Sequence, residues 1–138
     1  MKVMVLIEAT RASEAGQMPD EALLTAMGAY NQELMEAGVL VAGEGLHPNA
    51  AGKRVHFASG ERRVVDGPFE LGGVIAGFWI WEVASMDEAL EWARRCPDPM
   101  PGEEATLELR PIFSPEDFGD ALTPELRAQE EDMRAKLE

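Results

Sequence analysis

The chain has 138 residues, 46% of them hydrophobic, which suffices for one ordinary core and is too short for two comfortable domains. Its formal charge of −14 argues against nucleic acid and against anionic membrane surfaces, since both are held by Lys and Arg neutralising phosphates. The solitary Cys96 excludes an internal disulfide framework, and the apolar run after Met1-Lys2 is too short for a signal peptide or a spanning helix. The expectation is a cytoplasmic, soluble protein.

Val3, Val5 and Ile7 alternate with Met4 and Leu6, so both faces of the first strand are apolar. Ala9 to Pro19 shows no periodicity and reads as a loop. Asp20 is an N-cap candidate for a helix that should stop at Gly38, with Leu23, Met27, Tyr30, Leu34 and Ala37 forming a one-sided apolar stripe. A short second strand, Val39 to Glu44, leaves that helix directly. The spaced glycines Gly43 and Gly45 end a strand without opening a helix, so they make no nucleotide-binding loop and read as backbone relief at a bend.

Arg54 to Ala58 and Glu61 to Val65 flank Ser59-Gly60 as a hairpin with a two-residue turn. Asp66-Gly67-Pro68 is a turn signal in which Asp66 can accept from nearby backbone N–H groups, with Phe69 tucked under the turn. Val74 to Val83 is the longest apolar run, with neither face polar. Ser85-Met86-Asp87-Glu88 is a capping box opening a helix that Pro97 ends. Ala105, Leu107 and Leu109 alternate with Thr106, Glu108 and Arg110 in a last strand that has one apolar and one polar face. From Ser114 on, eight acidic residues face three basic ones, and Thr123-Pro124-Glu125 starts a solvated helical appendage.

This order gives an α+β fold: a ferredoxin-like split βαβ antiparallel sheet with an inserted hairpin over residues 1–113, followed by an acidic helical extension over 114–138. Two helices cover only one side of such a sheet, while its central strands read as apolar on both. Leaving several large apolar groups in water is costly, so a second copy packed through a two-fold axis is the expected cover.

Val65-Asp66-Gly67-Pro68-Phe69, the block Ile75 to Val83 and the run Ser85 to Ala93 resemble the DGPF group of the YCII-related family, over about Met1 to Phe113. The resemblance implies a dimeric α+β barrel in which two such sheets face one another. Glu70-Leu71-Gly72-Gly73 departs from the acidic, lysine-bearing segment that members carry after the turn. YCII-like relatives are also associated with a His–Asp pair in a cleft, the histidine lying on the first helix. Here that helix contains none, which leaves His47 and Asp66 as a possible substitute pair.

If His47 and Asp66 meet, the carboxylate could orient the imidazole for general acid or base chemistry. Turn capping and a surface loop explain the same two residues without chemistry. Glu44, Phe69, Trp79, Trp81, Glu108 and Arg110 are the candidate ligand contacts, as sparse polar anchors beside aromatic walls. His56 reads as a sheet-surface residue, and Cys96 as a small packed one. No spacing of His, Cys, Asp or Glu suits a metal, and neither a serine nucleophile elbow nor a phosphate loop is present, so no cofactor is called for. The sequence thus points to a homodimer with a pocket, in the barrel or at the subunit interface, for a small, uncharged or cationic molecule. It leaves open an enzyme using His47 and Asp66, and a regulatory interaction module of the kind that the family's association with sigma-like transcription factors suggests by analogy.

Overall fold

In a computed structural model describing residues 1–138, the chain runs β1 (Lys2–Glu8), α1 (Arg11–Glu14), α2 (Glu21–Glu36), β2 (Leu40–Gly45), β3 (Lys53–Ala58), β4 (Glu61–Asp66), β5 (Ile75–Glu82), α3 (Met86–Arg94), β6 (Leu107–Pro111) and α4 (Pro124–Leu137). Short 3₁₀ turns occupy Asn49–Ala51 and Pro115–Ala121. The main sheet has the order β2-β5-β1-β6 with every pair antiparallel. Because α2 joins β1 to β2 and α3 joins β5 to β6, both crossovers are split βαβ units. The pair β3–β4 forms a separate two-stranded sheet.

Register explains where the core sits. Val3 pairs with Trp81, Val5 with Trp79 and Ile7 with Gly77, so these residues share one face of the sheet. On it Val3, Val5, Trp81 and Leu34 of α2 are fully or almost fully buried, with Tyr30, Val39, Trp79, Val83 and Ala89 completing the core. Each such large side chain taken from water contributes about 1.5–3 kcal/mol. The other face carries Met4, Leu6, Phe78 and Ile80, which are only half-buried, beside Glu108 and Arg110 of β6.

The two helices are pinned to each other as well as to the sheet. The Tyr30 hydroxyl donates to the Trp92 carbonyl at 2.5 Å, and its ring meets the Trp79 and Trp92 rings edge-on at 5.9 and 6.5 Å. Arg95 pairs with Glu33 at 2.6 Å and lies 4.3 Å from the centroid of the Trp92 ring.

Helix ends follow the sequence signals. The Asp20 side chain accepts from Leu23 N–H at 2.8 Å, and Gly38 takes φ +73° just past α2, the left-handed conformation that glycine adopts freely. At α3 the Ser85 hydroxyl accepts from Glu88 N–H, while Glu88 reaches back to Ala84 N–H rather than to that of Ser85.

Three local expectations need correction. The segment from Ala9 to Pro19 is not all loop: Thr10 and Ser13 cap each other reciprocally and close the helical turn α1. Gly43 serves side-chain packing rather than bending, since a Cβ there would stand 2.7 Å from Cδ1 of the Trp79 indole, and the irregularity of β2 lies between Leu40 and Ala42. Asp66 does not cap its own turn; Lys53 Nζ donates to its carboxylate at 2.6 Å across the β3–β4 ladder.

Asn49 does the bracing instead. Its side chain accepts from Phe69 N–H at 2.7 Å and donates to the Phe69 carbonyl at 3.3 Å, and Gly67 fits because a Cβ would collide with the Asn49 carbonyl. At the far end of the chain Arg127 of α4 pairs with Glu116 at 2.7 Å, and α4 buries none of its residues. No helix is long and apolar enough to cross a membrane.

Candidate functional site

A cleft of about 920 Å³ opens between α1, the N-terminal half of α2, the end of β2 and the loop around Met100. Its rim is tied together by side-chain contacts between segments far apart in the chain. The Glu103 carboxylate accepts from Ala12 N–H at 3.3 Å, and Thr10 Oγ1 approaches Met100 Sδ at 3.6 Å, which ties the Met100 loop to α1. Glu14 accepts from Asn49 N–H at 2.7 Å and so ties α1 to the start of the 3₁₀ turn beyond β2.

The wall is largely apolar, formed by Leu23, Leu24 and Met27 of α2 facing Trp79 and Leu46. The Trp79 indole N–H donates to Asn31 Oδ1 at 2.9 Å, which fixes the orientation of the Asn31 amide and leaves its NH₂ group without a partner in the chain. Gly43 and Gly45 keep the adjoining strip of β2 free of side chains on the face of Trp79. Glu44 and His47 stand exposed where β2 ends and carry no hydrogen bond or ion pair within the chain. Asp20 also lines the cleft, but its carboxylate is spent on the cap of α2. Such a site presents one half-buried amide donor, an acidic rim and a large hydrophobic wall, a pattern suited to a small molecule with an acceptor at one end.

The sequence-predicted contacts divide among four places. Glu44, His47 and Trp79 border the cleft. Trp81 is completely buried in the core with no acceptor for its indole N–H, and so is closed to a ligand. Glu108 and Arg110 lie on the opposite face of the sheet from Trp79 and Trp81 and pair with each other at 3.5 Å. Phe69 stacks under the Arg54 guanidinium, 3.9 Å from its centroid, beside the hairpin. Strand alternation accounts for one part of this division: Glu108 and Arg110 pair with Leu6 and Met4, on the face away from Trp79 and Trp81.

Nor does the structure join His47 to Asp66. The Asp66 carboxylate is 72% exposed and held by Lys53, and no hydrogen bond or ion pair links it to the imidazole. Sequence reasoning passed over Asn31, Asn49 and Glu14. Asn31 sits on the polar side of a helix stripe, where only the tertiary approach of Trp79 gives it a role. Pro48-Asn49 was a readable turn signal, yet its partner twenty residues on was not.

Two groups near the core titrate away from their ordinary values. Burial, with Asp98 adding to it, pushes the Cys96 thiol up to about 11, and Cys96 Sγ donates to the Pro97 carbonyl at 3.2 Å. A thiol held neutral in this way is a poor nucleophile at neutral pH. Burial also raises Tyr30, followed by the charge of Cys96.

Comparison with known proteins places these features in a family. Residues 1–113 match the YCII-related domain. An uncharacterised protein of Rhizobium meliloti (strain 1021) is 34% identical over 94 residues, spanning 67% of this chain and 75% of that protein. Among solved structures, 5-chloro-2-hydroxyhydroquinone dehydrochlorinase from Burkholderia phenoliruptrix, in complex with 2,5-dihydroxybenzoquinone, is 16% identical with a TM-score of 0.44. That likeness covers 83% of this chain and 96% of the other. By the match over residues 1–113 and the identity to the Rhizobium protein, the chain belongs to the YCII-related family.

Proposed function

We propose that this YCII-related protein binds a small, uncharged or cationic molecule in the cleft beside Trp79, as a homodimer. The observation that carries the reading is the junction of a large apolar wall with a single oriented amide, Asn31, whose NH₂ is unpartnered. Glu44 at the rim favours a donor or a cation at the outer end of the ligand and disfavours an anion. The half-buried row Met4, Leu6, Phe78 and Ile80 supports the dimer, since a second sheet against it would remove apolar surface that α2 and α3 leave uncovered. Acid–base catalysis by His47 and Asp66 has less support, because Asp66 would first have to leave Lys53.

The test uses the indole N–H resonance of Trp79 in the full chain as a reporter. Phenol and benzamidine, one neutral and one cationic, should shift it saturably, and benzoate should not. In Gly45→Leu, where an added side chain enters open space and not the packed core, the shifts should disappear while the fold persists. Absence of any saturable shift with either probe at millimolar concentration would overturn the reading.

A further inference from the structure

The hairpin carries a second feature that the cleft does not use. In the β3–β4 register Arg54 pairs with Val65 and His56 with Arg63, so Arg54, His56 and Arg63 share one face. With Val65 and Phe69 they line a shallow depression of about 340 Å³, which shares no residue with the cleft. The stacking of Arg54 over the Phe69 ring at 3.9 Å holds one guanidinium in its wall.

The charges of this depression are unbalanced. The chain carries 26 Asp and Glu residues, yet neither Arg54 nor Arg63 has a carboxylate within ion-pair reach. Elsewhere Lys53 meets Asp66 on the other hairpin face, and Arg127, Arg134 and Lys136 of α4 have acidic partners, whereas Lys2, Arg11, Arg62 and Arg94 have none; what sets Arg54 and Arg63 apart is that they share one depression. Arg54 and Arg63 are diagonal neighbours across the ladder. At that diagonal spacing, about 7–8 Å, one small anion can reach both guanidiniums.

We infer that the depression is a binding site for a small organic carboxylate. The guanidiniums of Arg54 and Arg63 would grip the carboxylate in the planar, fork-like geometry that suits it. Phe69 and Val65 would receive an aromatic or branched apolar body, which favours such a ligand over an inorganic anion. The volume lies at the small end of ligand sites and is too confined for a helix or strand of a partner. The net charge of −14 does not forbid it, because at ordinary ionic strength charges more than about 10 Å away are largely screened. The site stands independently of the cleft, whose acidic rim has the opposite preference.

Benzoate titrated into the full chain, followed by the His56 imidazole and Phe69 ring resonances, tests the inference, with inorganic phosphate as a second arm. Saturable benzoate shifts are expected, weaker with phosphate and weaker at high salt. Arg63→Gln should reduce benzoate affinity about tenfold or more, and Lys53→Gln, on the other hairpin face, should leave it within about twofold. The inference fails if the shifts do not saturate, or if they survive in the Arg54→Gln/Arg63→Gln double variant. Phosphate binding as tightly as benzoate would refute the apolar part of the site. Hairpin resonances that move with protein concentration alone would assign the depression to the acidic surface of a second copy, and would also overturn it.

Discussion

Removing one oxygen from the core, Tyr30→Phe, should lower stability by about 1 kcal/mol at pH 7, the ordinary net worth of a neutral hydrogen bond. The loss should stay small because nothing is orphaned: the Trp92 carbonyl also accepts from Arg95 N–H at 3.1 Å. The edge-on ring contacts with Trp79 and Trp92 survive in phenylalanine. For a domain of this size that corresponds to a melting point lower by about 3 °C.

The pH dependence adds a sharper requirement. Burial, and then the charge of Cys96, raise the Tyr30 phenol above its ordinary value of 10.0. The folded state therefore keeps the phenolic proton at a pH where the unfolded chain sheds it. Stability from this group is fully present below about pH 10 and falls by about 1.4 kcal/mol per pH unit above it, until the folded form also ionises. Tyr30→Phe has no such slope. Its deficit of about 1 kcal/mol should therefore close near pH 11, with the parent becoming the less stable protein beyond. Urea unfolding followed by tryptophan fluorescence between pH 7 and 11 measures both proteins, and the titration of Cys96 largely cancels in the difference. A gap that stays constant over this range refutes the burial argument. A loss above about 3 kcal/mol at pH 7 refutes the claim that no acceptor is orphaned.

Other outcomes follow from particular contacts. Gly43→Ala places a Cβ 2.7 Å from the Trp79 indole and should cost about 1–3 kcal/mol while displacing the Trp79 indole N–H resonance, a combination that calorimetry and NMR would show together. Cys96, with its thiol raised to about 11, should react with iodoacetamide far more slowly than a free thiol at pH 8 and accelerate only as the pH approaches that value; ordinary reactivity at pH 8 would contradict its burial. Light scattering of the full chain at micromolar concentration should give the mass of two copies, and Phe78→Glu on the uncovered sheet face should return it to one; a parent that scatters as a monomer removes the dimer from the proposal.

Much of the architecture was legible because it rests on local physics. Alternation identified the strands, Asp20 and Gly38 bounded α2, and Ser85 with Glu88 opened α3, since capping and strand period are properties of a few neighbouring residues. The turn Ser59-Gly60, both residues at positive φ, likewise announced the hairpin. The same local logic misassigned Asp66, whose carboxylate takes the more favourable bond to a cation directly across the ladder.

Composition and periodicity thus determined by themselves the α+β class, the order of the strands and of the three longer helices, and the apolar character of both faces of the central strands. Only the tertiary structure decided which groups meet. Strand register set Trp79 and Trp81 on one face and Glu108 and Arg110 on the other, and the packing of α2 on β5 brought Asn31 to the Trp79 indole to form the floor of a cleft. The physical reason is separation along the chain: the contact from Asn31 to Trp79 spans 48 residues, and its geometry is fixed by the register and the crossing of whole elements and not by any signal near either residue.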